Sequence, residues 1–197
     1  MNQQVANDDF HARVTLIFQE LGIPEDLPEA RNLSPWPEPP ALTTAEVSDR
    51  GRAFQLTPRA TEAWQTLKSA AADDGIELLM VSAFRSLEYQ AAIIRRKLEQ
   101  GLSLDHILTV NAPPGYSEHH SGCAIDIGSP DCPGLGEQFE NTDAYRWLSA
   151  HAGRFGLFLS FPRNNAYGFV YEPWHWRYRD DGHIRMRHSL LSGRKTN

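Results

Sequence analysis

A chain of 197 residues can enclose one substantial hydrophobic core, and 41% hydrophobic with 22% charged residues is the balance of an ordinary globular protein. The formal net charge of -6 argues against nucleic acid as a partner, because such binders carry a basic face and the densest basic stretch here is the modest tail from Arg185 to Lys195, read as a solvated terminus. No run approaches the roughly 18 apolar residues of a membrane span, so no membrane partner is expected.

The first nine residues show neither a basic n-region nor an apolar h-region, and a cytoplasmic location is the corresponding expectation. From Phe10 to Leu21, the spacing of Val14, Ile17, Phe18 and Leu21 predicts an amphipathic helix that Gly22 and Pro24 stop. Prolines then recur from Pro24 to Pro40, predicting an extended segment that wraps the core through Leu33 and Trp36. Residues 1–53 are therefore read as a helix plus a wrapping segment, and residues 54–197 as the core. Thr57-Pro58 opens a helix with Ala60, Ala63, Trp64, Leu67 and Ala70 on one face. The apolar run from Ile76 to Phe84 predicts a strand, and Ser86 to Gln100 a helix carrying Tyr89, Ala92, Ile93 and Leu98.

Farther along, Ala124 to Ile127 reads as a strand, Thr142 to Phe155 as a helix, and Leu157 to Phe161 and Gly168 to Tyr178 as strands. The order predicts an α+β single domain with helices packed on a mainly antiparallel sheet. Of the two cysteines, Cys123 lies in the apolar stretch Cys123-Ala124-Ile125 and is expected to be a buried free thiol rather than half of a disulfide with Cys132.

The chemistry concentrates in Ser117-Glu118-His119-His120-Ser121-Gly122-Cys123-Ala124-Ile125-Asp126 and, much later, Glu172-Pro173-Trp174-His175. His119, Asp126 and His175 form a set of two imidazoles and a carboxylate suited to Zn2+, which in catalytic sites takes three protein ligands and keeps a fourth position for water. Gly122 between the first two is where the backbone can bend so that both side chains reach one ion. His120 is the alternative ligand; it is adjacent to His119 and points the other way on an extended chain. Glu172 is the expected general base, taking a proton from the activated water and passing it to a leaving amine. Residues i and i+3 face opposite sides of a strand, so Glu172 and His175 can share a site only where the strand is broken, and Pro173 supplies a cause. His11, His106, His151, His183 and His188 read as surface residues, and Trp174 and Trp176 are equally well read as core aromatics.

The pattern Ser-x-His-x-x-Gly-x-Ala-x-Asp followed by Glu-Pro-Trp-His resembles the zinc D-alanyl-D-alanine carboxypeptidases of the VanY type. Ser82-Ala83-Phe84-Arg85-Ser86 with Tyr89-Gln90 is similar to that family's arginine-bearing segment, and Phe155-Gly156-Leu157 through Tyr178 to its closing hairpin. The resemblance implies a hedgehog-like zinc peptidase fold, zinc on His119, Asp126 and His175, Glu172 as catalytic base, and Arg85, Gln90 and Ser117 as residues that hold the substrate. The planar, permanently charged Arg85 suits either a substrate carboxylate or a developing oxyanion. His120 and Ser160 depart from the family, which often has a glutamine or other polar residue at the first position and a basic residue near the second.

The implied substrates are peptidoglycan stem peptides that lose a terminal D-alanine. The missing leader signature favours an L,D-carboxypeptidase on tetrapeptides in wall recycling over a D,D-carboxypeptidase on pentapeptides. An endolysin-like endopeptidase and a non-catalytic zinc-binding interaction domain are the competing readings; retention of both Glu172 and Arg85 argues against the latter.

Overall fold

The computed structural model describes residues 3–180, with side chains from Asp8 onward. The basic tail from Arg185 to Lys195, His183 and His188 lie outside the described residues. The elements in order are helices α1 (Gln3–Leu21) and α2 (Leu27–Ala30), strands β1 (Thr43–Val47) and β2 (Ala53–Leu56), α3 (Pro58–Asp73), β3 (Leu79–Ser82), α4 (Leu87–Glu99), α5 (Leu104–Val110), β4 (Ala124–Gly128), α6 (Asp143–His151), β5 (Leu157–Leu159) and β6 (His175–Tyr178). Short 3-10 turns cover Glu118–Ser121, Glu137–Asn141 and Ala152–Phe155. The expected α+β architecture on antiparallel sheets is what forms: β1 pairs with β2, and a four-stranded sheet runs β3-β4-β6-β5 with every neighbour antiparallel.

Helix boundaries follow capping chemistry. Pro58 sits in the first turn of α3, where a missing N–H costs nothing. The Ser86 hydroxyl accepts from Tyr89 N (3.1 Å) at the start of α4, and the Glu38 carboxylate accepts from Leu87 N (2.7 Å). Thr142 caps α6 in the same way, accepting from Tyr145 N at 3.1 Å.

Trp64, Leu67, Leu56, Ile125, Ile127, Phe139 and Leu148 lie in one core between α3, the β1–β2 hairpin, the larger sheet and α6. A second apolar cluster joins Phe10, Val14 and Phe18 of α1 to Leu87 and Ile94 of α4 and Ile107 of α5. The N-terminal segment is therefore tied to the rest by side-chain packing. Trp36 N donates to Gly115 O (2.8 Å), and the Arg177 guanidinium lies 4.8 Å over the Trp36 ring. No helix among the described residues is long and apolar enough to cross a membrane.

Several local expectations are corrected. The α1 helix starts seven residues earlier than Phe10, at Gln3. The wrapping segment contains α2 and runs into the β1–β2 hairpin; β1 is largely exposed, and the alternation of β2, with Phe54 and Leu56 inward, spans only four residues. In α4 the buried face is Leu87, Gln90, Ala91 and Ile94, while Tyr89 and Ala92 face solvent. The segment from Gly168 to Trp174 is loop, and β6 begins only at His175. Both cysteines are free, but Cys123 is half-buried and Cys132 is the enclosed one.

Candidate functional site

β4 is buried along its whole length, and its only charged residue is Asp126. Asp126 is the direct antiparallel partner of His175, the first residue of β6, so strand register alone sets carboxylate and imidazole side by side. His175 Nδ1 lies 3.1 Å from Asp126 Oδ1. His119 comes from the 3-10 turn that precedes β4. Gly122 closes that turn at φ +65°, a conformation that favours glycine, and a Cβ there would press on Leu42 Cδ2 at 2.9 Å. The ligand atoms of His119, Asp126 and His175 all lie within 4.8 Å of one another, and all three residues are buried.

The two imidazoles present defined nitrogens to this point. His119 Nδ1 is 2.7 Å from Ala83 O, which can only accept, so its proton sits on Nδ1 and its lone pair on Nε2. That buried Nε2 has no hydrogen-bond partner and is 3.3 Å from Asp126 Oδ1. An orphaned, buried lone pair beside an ionised carboxylate and a second imidazole fits a divalent cation. Burial and then the Arg85 charge hold the His119 pKa down at about 4, so the ring is neutral at pH 7. Burial opposes the Asp126 charge too, but the two histidines outweigh it and keep the carboxyl well below the usual carboxylate range.

Glu118 orients His175 from behind. Its Oε2 accepts from His175 Nε2 at 2.9 Å, and its Oε1 pairs with Arg177 Nε at 2.8 Å. The arrangement leaves Nδ1 for a cation, as carboxylates do behind ligand histidines. Burial raises the Glu118 pKa, but the His175 hydrogen bond and the Arg177 charge bring it down to about 2. Without a cation, Asp126 and Glu118 overcome burial and raise the His175 pKa to about 10. Sequence reasoning passed over Glu118, because nothing local links it to a histidine 57 residues away.

His120 is excluded from the ligand set by its own bonds: Nδ1 donates to Arg85 O at 2.6 Å, and Nε2 accepts from Gly115 N at 3.0 Å. The ring pins the ligand turn to the Arg85 segment.

Glu172 faces His175 across a turn in which His175 N donates to Glu172 O (3.1 Å), with Pro173 and Trp174 at its corner. The strand break expected at Pro173 is therefore present. Glu172 Oε2 lies 3.8 Å from His175 Nδ1, with 12% of its side chain exposed. Burial, followed by the opposing pull of His175, sets its pKa at about 7. Arg85 shares this environment. Its Nε is buried without a hydrogen-bond partner, and burial lowers its pKa against the raising fields of Asp126 and Glu172.

A cavity of about 300 Å³ opens over the set, lined by Arg85, Ser117, Glu118 and Glu172 beside the ligands. Trp174 lines it as well, whereas Trp176 lies in the core. Gln90 does not line the cavity. It is fully buried and donates to Ala112 O at 2.8 Å, so it reaches the cavity only by bracing that loop. Ser160, also buried, is not among the lining residues. His11 and His106 are exposed and His151 half-buried, all apart from the site. Two further wall residues, Lys97 and Asn111, were not legible, the second because α5 went unrecognised.

Residues 53–181 match the VanY family, D-alanyl-D-alanine carboxypeptidase. Among relatives, YodJ of Bacillus subtilis is 33% identical over 134 residues, covering 62% of this chain and 46% of the relative. A D-alanyl-D-alanine carboxypeptidase of Enterococcus faecalis is 29% identical, covering 71% and 54%. The chain thus spans about half the length of these two relatives. A bifunctional D-Ala-D-Ala dipeptidase and carboxypeptidase of Enterococcus gallinarum is 30% identical, covering 72% and 75%. Of solved structures, the LdcB LD-carboxypeptidase superposes with a TM-score of 0.66 at 28% identity, covering 78% of this chain and 75% of that one. VanYB in complex with D-alanine-D-alanine gives 0.59 at 26%, covering 82% and 94%. A VanY variant in complex with Zn(II) gives 0.59 at 27%, covering 81% and 89%.

Proposed function

The chain belongs to the VanY family of D-alanyl-D-alanine carboxypeptidases, and from that premise we propose that it is a zinc-dependent carboxypeptidase that removes the terminal D-alanine of peptidoglycan stem peptides, with the L,D bond of tetrapeptides as its favoured substrate. The observation that carries the reading is the meeting, over one cavity, of the His119–Asp126–His175 set with Glu172 and Arg85. Zinc held by His119 Nε2, Asp126 and His175 Nδ1 would supply a Lewis acid and a water acidified to near neutrality.

The chain's own residues divide the remaining work. Glu172, whose pKa stands at about 7 without a cation, can accept a proton and return it to the leaving amine. Its backbone is fixed by the bond from Glu172 N to Phe161 O (3.1 Å), so the carboxyl meets the reacting bond from a set direction. Arg85 places a desolvated positive charge beside Glu172 and Asp126, where it stabilises negative charge on the oxygen of the carbonyl under attack. Phe161 packs its ring 4.7 Å from that of His175 and shields this side from water. Similarity to the LdcB LD-carboxypeptidase supports the L,D reading, and similarity to VanYB with bound D-alanine-D-alanine supports the D,D alternative.

The deciding experiment is mass spectrometry of zinc-loaded protein incubated with a stem tetrapeptide or a pentapeptide, each with a chelator control. Chelator-sensitive loss of one alanine from the tetrapeptide is expected. Loss confined to the pentapeptide replaces the L,D reading with the D,D one, and no loss from either refutes the carboxypeptidase reading.

A further inference from the structure

The cavity holds two cations. Among the described residues, most cations that make ion pairs do so at or near the surface: Arg13 with Glu88, Lys68 with Glu46, Arg95 with Glu20, Arg163 with Glu137 and Glu140. Arg85 and Lys97, both lining the cavity, have no carboxylate within ion-pair distance among the described residues. Lys97 lies in the last turn of α4, where a basic residue would ordinarily extend into solvent to complement the helix dipole. Instead it is half-buried, and its Nζ donates to Asn111 Oδ1 at 2.5 Å. Asn111 ends α5, so two helix ends hold the ammonium in place. An ammonium carries three donors, and the described bonds use one.

The two cations sit among different charges. Arg85 feels Asp126 and Glu172 most strongly among the carboxylates. Lys97 belongs to the wall of Val110, Asn111 and Ala112, which contributes no metal ligand, and its pKa is lowered chiefly by burial and then by the Arg85 charge. A half-buried cation that lines the cavity with no carboxylate in ion-pair reach is costly unless an anion arrives with the substrate.

We propose that Lys97, held by Asn111, anchors a substrate carboxylate in this cavity and leaves Arg85 to the carbonyl under attack. The inference rests on the carboxypeptidase reading and adds a substrate contact to it. Stem peptides offer two such carboxylates. One is the terminal carboxylate of the leaving residue. The other is the free side-chain carboxylate of a diaminopimelate residue, which a lysine in the same place lacks.

The test uses the zinc-loaded full chain and four probes: a stem tetrapeptide containing diaminopimelate, the same peptide with lysine instead, and the C-terminal amide of each. Binding is read by calorimetry in a Glu172→Gln background, and turnover in the unsubstituted background. Lys97→Met is expected to weaken binding and raise KM by about 10- to 100-fold, the worth of a charge-assisted hydrogen bond, and to affect KM more than kcat. Lys97→Arg should recover much of the loss.

If the terminal carboxylate is the ligand, Lys97→Met abolishes the preference for acid over amide in both stems. If the side-chain carboxylate is the ligand, it abolishes the preference for diaminopimelate over lysine and keeps the acid preference. Unchanged affinity for all four probes, with zinc content intact, overturns the assignment. Should Lys97→Met fail to fold, Asn111→Ala decides: a several-fold drop in either preference supports the anchor, and unchanged preferences overturn it. If the unsubstituted protein releases alanine from no probe, the carboxypeptidase reading falls, while calorimetry still decides whether Lys97 holds a carboxylate.

Discussion

Glu118→Gln tests whether the site is built from its second layer inward. The substitution keeps the shape and leaves an amide oxygen to accept from His175 Nε2, the bond now made at 2.9 Å, but it removes the negative charge. A hydrogen bond to a charged group contributes about 1.5–3 kcal/mol against about 0.5–1.5 for a neutral pair. The difference of roughly 1.4 kcal/mol is about tenfold in zinc affinity, the lower end of the 10- to 100-fold effects found behind ligand histidines.

Glu118 also stabilises the protonated ring of His175, whose pKa stands at about 10 without a cation. Part of the loss is therefore cancelled at neutral pH by weaker proton competition, and the affinity gap should widen between pH 7 and pH 9. Glu118→Ala goes further, because it removes the partner of both the His175 N–H and the buried Nε of the half-buried Arg177. The assay is competition for zinc against a chromogenic chelator at both pH values. Zinc binding by Glu118→Gln that is unchanged or tighter at both pH values would refute the reasoning and reduce Glu118 to a surface acid.

Further outcomes are expected. Glu172→Gln should keep stoichiometric zinc and lose about 100- to 10,000-fold in turnover, as measured by alanine release; a smaller loss removes Glu172 from proton transfer. Asp126→Ala and His175→Ala should each abolish tight zinc binding, and retained stoichiometric metal by atomic absorption in either would refute the ligand set. Arg85→Ala should cut kcat/KM while metal content stays normal, and loss of zinc would make Arg85 structural. His120 gives a pH test on metal-free protein. Burial sets its folded pKa at about 4, below the unfolded value of 6.5, so its contribution is full above pH 6.5 and lost as pH falls to about 4, where the unfolded chain takes up a proton that the native ring refuses. Relative to His120→Gln, which cannot titrate, the wild type should lose up to about 3 kcal/mol across that window in urea unfolding. A constant difference across the window would show that His120 is not held neutral.

What the sequence shows and hides at this site follows from how each residue is held. His119, Asp126 and Glu172 were legible because their spacing is a local property: a glycine turn entering one strand, and a proline-broken turn entering another. The starts of α3, α4 and α6 were legible for the same reason, at Pro58, Ser86 and Thr142, whereas the helix expected to reach Phe155 ends at His151 and tightens into a 3-10 turn over Ala152–Phe155. The β1–β2 hairpin was not, because β1 leaves most of its side chains to solvent and β2 buries only Phe54 and Leu56 over four residues, too short a run to stand out. Glu118 and Lys97 were hidden because their partners come from β6 and α5, and only the folded chain brings these together.

The same distinction bears on the N-terminal segment, which lies before the matched family region at residue 53. Its prolines predict wrapping of the core through Leu33 and Trp36, but not a connection to the site. Trp36 stacks on Arg177, Arg177 pairs with Glu118, and Glu118 orients His175. Glu38, two residues on, accepts from Leu87 N at 2.7 Å and thereby anchors the start of the helix that carries Lys97. A cation–π contact is worth about 0.5–1 kcal/mol when exposed and more when desolvated. Trp36→Ala is therefore expected to weaken zinc binding several-fold through Arg177 and Glu118 without touching a ligand. Glu118→Gln should shrink the effect of Trp36→Ala, since both act through one chain of contacts. Fully additive losses of zinc affinity in the double variant would show that Trp36 acts on the fold alone, independently of the site.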